Sequence, residues 1–147
     1  MSIVIRIAEE KDLLPIQRLV AKAGLSDSGI EQQVENFLVA EDDKKIVGTI
    51  GIEKVGVDGL LRSLVMQSDN WNAKIGLEFV QLALAYAEKR GIETLYLLTK
   101  QSTEFFEYLG FKEVGEQEVP KHLKESPHFS QFTSGVTKVL ACRLKEE

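Results

Sequence analysis

The 147-residue sequence contains a single cysteine, Cys142, and only three prolines. One cysteine cannot form an intramolecular disulfide, and it cannot supply the several thiolates of a structural zinc site. We interpret Cys142 as a buried thiol rather than a nucleophile, because it lies in an alternating, strand-like segment. The sequence therefore predicts a domain that is stabilised by its apolar core and not by covalent or metal cross-links.

The sequence also lacks a long hydrophobic run and an excess of positive charge. Its apolar stretches are far shorter than the roughly 20 residues of a membrane-spanning helix, and residues 1–6 lack the layout of a signal peptide. Eighteen Lys and Arg residues stand against 23 Asp and Glu residues, a net charge of −5. Such a balance argues against a nucleic-acid-binding module, which needs cations to neutralise phosphates. We expect one cytoplasmic domain, residues 1–147, that binds neither nucleic acid nor membrane and is a monomer or homodimer.

What the sequence does contain is a regular alternation of strand and helix patterns. A good N-cap, Asp12, precedes apolar residues at helical spacing, and Ser28 begins a capping-box pattern that predicts a second, short helix. The element order predicted by pattern alone is β-α-α-β-β-β-α-β-α-β. Strands are predicted at residues 3–7, 37–41, 46–53, 60–66, 93–99 and 136–144.

The most regular part of the pattern is at residues 60–99. Residues 75–90 are apolar on nearly all helical faces, which is typical of a buried helix. The continuous apolar run at 93–99 is typical of a strand in a parallel pair. Together with the strand at 60–66, these segments predict a β-α-β crossover. We expect an α/β fold with a mixed, mostly antiparallel sheet of six or seven strands and helices on both faces.

A ligand site is expected at the start of the long helix. Ligands of open α/β sheets bind beyond the carboxyl ends of parallel strands, beside a helix N-terminus. Here this position is the loop 67–76, in which Lys74 adds a positive charge and Gly76 permits close approach of another backbone. The alternative is an ordinary loop-to-helix junction.

Four segments resemble the GNAT superfamily of acetyl-CoA-dependent N-acetyltransferases. They are residues 60–66 (LLRSLVM), the loop with the long helix, residues 95–99 (LYLLT) and residues 104–111 (EFFEYLGF). The element order is similar along the whole chain. Residues 118–130 are similar to a branch whose members acetylate amino acids or amino-acid-like compounds. The resemblance implies the GNAT fold and acetyl-CoA as co-substrate.

The resemblance also implies which residues contact the cofactor. Backbone groups of Leu64, Val65 and Met66 would bind the pantetheine arm where the fourth and fifth strands splay apart. Thr99 and Ser102 would lie beside the same arm. The pyrophosphate would be cradled by the seven residues Trp71, Asn72, Ala73, Lys74, Ile75, Gly76 and Leu77.

The predicted pyrophosphate loop departs from the family pattern Gln/Arg-x-x-Gly-x-Gly/Ala. Trp71 stands at the arginine position and Lys74 at the first glycine, so that only Gly76 matches. Loss of one charged hydrogen bond costs about 1.5–3 kcal/mol, and Lys74 restores part of this as a point charge. We expect weakened acetyl-CoA binding. Trp71 either packs on the core or stacks on the adenine.

Two residues are candidates for proton transfer. The family's tyrosine, which protonates the leaving thiolate, aligns with Phe106, and Tyr108 lies about 200° further around a helix. Tyr108 is the candidate acid, with a packed or surface tyrosine as the alternative. Glu53, which ends the third strand, is the candidate base, with a solvated strand end as the alternative.

Arg62 lies within an apolar strand and therefore requires an anionic partner. If the hairpin folds about Gly56 and Val57, Leu60 opposes Glu53, and Arg62 reaches Glu53 diagonally when both face the same side. Two roles remain open. Arg62 either forms a structural ion pair or binds a carboxylate or phosphonate of the substrate.

These features lead to two hypotheses for function. The first is an N-acetyltransferase that moves an acetyl group from acetyl-CoA to the amine of a small molecule by direct attack in a ternary complex. The second is a non-catalytic GNAT-like module that binds a CoA compound or a protein partner, which the residues at positions 71, 74 and 106 favour. His122 and His128 lack neighbouring ligands in the sequence, so we predict no metal site.

Overall fold

The computed structural model describes residues 3–67, 72–100 and 103–144. No helix in these ranges has the length and apolarity needed to cross a membrane. The α-helices are α1 (Leu13–Lys22), α2 (Ala73–Lys89), α3 (Glu104–Tyr108) and α4 (Lys121–Lys124). The strands are β1 (Ile3–Ile7), β2 (Phe37–Asp42), β3 (Lys45–Val55), β4 (Asp58–Met66), β5 (Thr94–Thr99), β6 (Lys112–Val114) and β7 (Lys138–Arg143).

The strands form one seven-stranded sheet in the order β1-β2-β3-β4-β5-β7-β6. β4 and β5 run parallel, from the pair Asp58 and Thr94 to the pair Leu61 and Leu97, and α2 connects them. The other strand pairs of the described residues are antiparallel. The predicted β-α-β crossover and the mixed, mostly antiparallel sheet are therefore confirmed.

Helices cover both faces of the sheet. In β2, Leu38 and Ala40 pack in the same core cluster as Phe79 of α2. The alternate residues Phe37 and Val39 pack with α1 in a separate cluster. Because successive residues of a strand point to opposite faces, α1 and α2 lie on opposite sides of the sheet.

Two local predictions differ from the structure. The strand β6 was not predicted, because its sequence Lys-Glu-Val is too short and too polar to show an alternating pattern. The helix predicted after Ser28 is instead two 3-10 turns, Ile30–Gln32 and Val34–Asn36. Gln33 interrupts helical geometry between them, with a φ of −141°, and its side-chain oxygen accepts the backbone N–H of Lys54 on β3 at 2.7 Å.

The substitution Gly51→Ala should destabilise the sheet. Gly51 lies opposite Phe37 in the β2–β3 pairing, and a methyl group there would overlap the Phe37 ring. That ring is fully buried, so we expect a loss of about 1–3 kcal/mol in the free energy of unfolding, measured by urea denaturation. The double variant Phe37→Leu/Gly51→Ala should lose less than the sum of the two single variants. Strict additivity would contradict this account.

Candidate active site

The site begins where β4 and β5 separate. Their parallel pairing ends at Leu61 and Leu97. Just beyond this point β4 contains a bulge, because Gly51 pairs with Arg62 whereas Thr49 pairs with Val65. Ser63 within the bulge has a φ of 58°, a left-handed conformation that is uncommon for residues other than glycine. A bulge bends its strand and so directs β4 away from β5.

A cavity of about 430 Å³ lies at this divergence. Its volume is within the roughly 300–1,000 Å³ typical of small-molecule sites. β4 and β5 form one wall, and the opposite side comes from the segment that follows α1, from α3 and from the C-terminal region. The lining residues are Gly24, Leu25, Ser26, Leu61, Arg62, Ser63, Leu64, Leu97, Leu98, Thr99, Lys100, Phe106, His128, Gln131 and Thr137.

Arg62 is a buried cation in the wall of this cavity, and only 4% of its surface is exposed. Its Nη1 lies 3.7 Å from Glu53 Oε2, while Nε donates to Ser63 Oγ at 3.1 Å and Nη2 donates to the Ser26 carbonyl at 3.2 Å. Burial lowers the pKa of Arg62, and the charge of Glu53 opposes this shift. Among the described residues, Nη1 has an ion-pair partner but donates no hydrogen bond.

The pairing of Arg62 with Glu53 follows from the hairpin register. Glu53 opposes Leu60, with Gly56 and Val57 in the turn, as the sequence predicted. Arg62 and Glu53 are diagonal neighbours on one face, and the ion pair is confirmed. A contact between Arg62 and a substrate stays a prediction, which the position of Arg62 in the cavity wall permits.

Glu53 is buried behind Arg62 and is not itself a lining residue of the cavity. Its Oε1 accepts the backbone N–H of His128 at 3.1 Å, while Oε2 faces Arg62. Glu53 therefore holds both β4 and the C-terminal segment in place. In this position, a role as base would require a water molecule between Glu53 and the reacting amine.

His128 is a cavity residue that sequence reasoning missed. It lies in a 3-10 turn, Pro127–Gln131, which is anchored by the buried Phe129. Burial and the nearby charge of Arg62 lower the pKa of His128 to about 4, so the imidazole is neutral at pH 7. Its Nδ1 is buried and has no hydrogen-bond partner in the part of the chain that the structure describes. Pro127 gave a local turn signal, but nothing local indicated contact with Glu53, which is 75 positions away.

The structure does not bring Tyr108 to the cavity. Tyr108 is 78% exposed at the end of α3 and is not among the lining residues. Phe106 lines the cavity instead and packs edge-on against Phe105 and Phe111. Two positions along a helix turn a side chain by about 200°. This separation explains why Tyr108 faces solvent, and we do not retain it as a candidate acid.

The predicted cofactor residues fall into separate groups. Leu64 and Thr99 line the cavity. Val65 packs in the core beneath α1, whereas Met66 is 40% exposed. The predictions for Trp71 and Ser102 lie outside the described residues.

The start of α2 has the geometry of a capped helix. Asn72 is the N-cap, and its side-chain oxygen accepts the backbone N–H of Ile75 at 2.9 Å. Ala73 and Lys74 are exposed in the first turn, Ile75 and Leu77 are half-buried, and Gly76 is buried. A Cβ at Gly76 would lie 3.3 Å from the sulfur of Met66, so this turn packs closely on the end of β4. Residues 72–77 do not line the cavity described above.

Comparisons with known proteins identify a family and a relative of this chain. A model of the acetyltransferase (GNAT) family matches residues 9–111, a range that contains β4, α2, β5 and α3 but not His128. An uncharacterized protein of Bacillus subtilis (strain 168), YwlB, is 36% identical over 131 residues, which cover 86% of this chain and 87% of that protein.

Two solved structures share the fold at low sequence identity. The N-acetylglutamate synthase of Neisseria gonorrhoeae, complexed with coenzyme A and N-acetyl-glutamate, has a TM-score of 0.79 at 20% identity over 99% of this chain. The chain spans only 36% of the length of that enzyme. Rv2747 of Mycobacterium tuberculosis, in complex with CoA and NLQ, has a TM-score of 0.73 at 21% identity over 97% of this chain and 99% of its own.

The neutral state of His128 predicts a specific loss of stability in acid. The unfolded chain protonates this residue below its ordinary pKa of 6.5, whereas the folded chain does so only near 4. The free energy of unfolding should therefore fall by at most about 3 kcal/mol as the pH drops through this window. In urea denaturation at pH 7 and 4.5, His128→Gln should reduce the fall. The control is Gln131→Ala, at a lining residue of the same cavity that does not titrate, which should leave the fall in place. An identical fall in wild type and His128→Gln would refute the assignment.

Proposed function

The chain belongs to the acetyltransferase (GNAT) family, and on that premise we propose that it transfers an acetyl group from acetyl-CoA to the amine of a small molecule. The observation that carries this proposal is the cavity at the divergence of β4 and β5. The two structural neighbours described above were crystallised with coenzyme A, which supports a CoA thioester as the donor.

In this proposal, the pantetheine arm lies in the opening between β4 and β5. Beyond Leu61, within the described residues, β4 pairs with β3 on one side but no longer with β5 on the other. Backbone N–H and C=O groups at this edge are suited to the amides of pantetheine, because buried backbone groups require hydrogen-bond partners. The first turn of α2 and Lys74 would attract the pyrophosphate.

The transfer reaction needs few side chains. The amine nitrogen attacks the thioester carbonyl carbon, a C–N bond forms, the C–S bond breaks and CoA leaves as a thiolate. A thiol pKa near 8.5 makes this thiolate a tolerable leaving group without an acid. A backbone amide near Leu64 would stabilise the oxyanion of the intermediate. The amine loses its proton to water, or to Glu53 through water.

We further propose that the acceptor carries a carboxylate, as amino-acid-like compounds do. Arg62 supports this, since its Nη1 meets Glu53 only at 3.7 Å and the residue lines the cavity. Guanidinium binds carboxylates through a fork of two N–H groups. An α-amine is also an undemanding nucleophile, because with a pKa near 7.7–8.0 roughly one molecule in ten is neutral at pH 7.

A non-catalytic, CoA-binding module is the second candidate. The observation that favours it is Phe106, which occupies the cavity position where the family's tyrosine is expected. A protein that binds acetyl-CoA and transfers nothing would show the same cavity and the same stabilisation by ligand.

Acetyl-CoA should raise the melting temperature of the protein. A ligand at 100 times its Kd adds about 2.7 kcal/mol to the free energy of unfolding. In thermal unfolding, we expect millimolar acetyl-CoA to raise the melting temperature clearly. Acetyl phosphate, the control, should not raise it. A panel of amines should then release free thiol from acetyl-CoA. No rise in melting temperature would refute CoA binding, and a rise without thiol release from any amine would favour the non-catalytic module.

Replacement of Arg62 should discriminate among acceptors. Loss of a charged hydrogen bond costs about 1.5–3 kcal/mol, or roughly tenfold to a hundredfold in affinity. Arg62→Lys keeps the charge beside Glu53 but removes the fork, so we expect KM to rise at least about tenfold for acidic amines such as glutamate and little for uncharged amines. Arg90→Lys, at an exposed arginine, is the control. If KM is unchanged while stability falls, Arg62 is purely structural.

A further inference from the structure

A second cavity of about 550 Å³ lies between α1 and the turn that connects β2 to β3. It shares no lining residue with the cavity at β4 and β5. Its walls are rich in cationic side chains, although the whole chain has a net charge of −5. We call it the basic groove, and its cations are Arg6, Lys11, Arg18, Lys22, Lys44 and Lys45.

The carboxylates in the groove are already engaged by one of these cations. Arg6 binds Asp12 through Nη1 at 2.7 Å and Nη2 at 2.9 Å, and it binds Glu41 through Nε at 3.1 Å. These contacts lower the pKa of both carboxyl groups, so both are ionised. Of the described residues that line the groove, only Asp12 and Glu41 are acidic. Six cations therefore face two carboxylates.

Apart from Lys11, the remaining cations come from two elements that both line the groove, α1 and the β2–β3 turn with the start of β3. Arg18 and Lys22 lie one turn apart on the same side of α1. Lys44 lies in the sharp turn between β2 and β3, and Lys45 is the first residue of β3. Lys11 lies 3.9 Å from Glu9, and both side chains are exposed, so this pair neutralises little of the positive charge.

The turn itself has a backbone conformation that is unusual for a lysine. Asp43 and Lys44 both have left-handed φ values, 54° and 66°, which favour glycine, asparagine and aspartate. The pairing of Asp42 with Lys45 holds this turn in place. A lysine in this conformation is less stable than a glycine would be. The sequence nevertheless places a lysine here, beside the groove.

We propose that the basic groove binds a small polyanion with two or more phosphate groups, at a site separate from the acceptor cavity. Cations from two separate elements of one groove fit a ligand with more than one anionic group, and lysine is a general phosphate-binding residue. The volume fits a small molecule. A nucleic acid would require a longer cationic track than one groove on an acidic protein provides.

Calorimetric titration with inorganic tripolyphosphate tests this proposal, in the presence and absence of saturating pantetheine, the arm of CoA without its phosphate groups. We expect binding in both conditions and an affinity that decreases as salt is added. The variant Lys44→Gly/Lys45→Ala removes two charges, and glycine suits the φ of 66° at position 44, so the turn should persist. We expect this variant to bind at least about tenfold more weakly.

The matched control is Lys89→Ala/Lys112→Ala, which removes two exposed charges that line neither cavity. It should bind tripolyphosphate as the wild type does, and melting temperatures will verify that both variants are folded. Equal weakening in the two variants would show non-specific charge attraction and overturn the proposal. Loss of tripolyphosphate binding when pantetheine is present would overturn the separate site. Binding of nucleic acid or an acidic peptide without tripolyphosphate binding would overturn the proposed ligand class.

Discussion

The end of parallel pairing between β4 and β5 is the constraint on which the rest of the site depends. Up to Leu61 and Leu97 the two strands share hydrogen bonds, and α2 packs across them as a crossover helix must. Past that point the bulge at Ser63 redirects β4. The opening that results lies between two neighbouring strands at the centre of the sheet. Within the described residues, backbone groups along it have no partner strand, although buried backbone groups require hydrogen-bond partners. A ligand that supplies new hydrogen bonds there is the natural complement.

The second constraint is the buried charge of Arg62. A guanidinium in the sheet is tolerated because Glu53, Ser63 and Ser26 surround it. Glu53 also accepts the backbone N–H of His128. One carboxylate thus connects the β3–β4 hairpin to the C-terminal segment, and Arg62 connects the hairpin to the segment after α1. This side of the cavity is assembled around the ion pair.

Local sequence patterns predicted much of the fold, because these patterns depend on residues that are close together in the sequence. The apolar run at 93–99, the long helix before it and the hairpin that places Leu60 opposite Glu53 all involve neighbouring residues. Contacts between segments that are far apart in the sequence produce no such local pattern. His128 reaches Glu53 across 75 positions, and the basic groove combines α1 with the β2–β3 turn. Periodicity contains no information about which segments meet.

In the candidate site, too, some features could be predicted from local sequence patterns and others could not. The position of Phe106 in the cavity wall and of Leu64 at the bulge follows from where they lie on predicted elements. Tyr108 was considered for its chemistry, but the geometry of a short helix places it in solvent. Residue type suggests what a side chain can do, whereas the angle around its helix decides whether it reaches the substrate.

The most direct test of the central claim is amide hydrogen exchange on the protein with and without CoA. If the arm of the cofactor binds the free edge of β4, exchange at residues 64–66 should slow when CoA is added. Amides of β6, at Lys112–Val114, pair with β7 away from this opening and should be unaffected. Unchanged exchange at 64–66 under saturating CoA would contradict the claim that the divergence of β4 and β5 is the cofactor site.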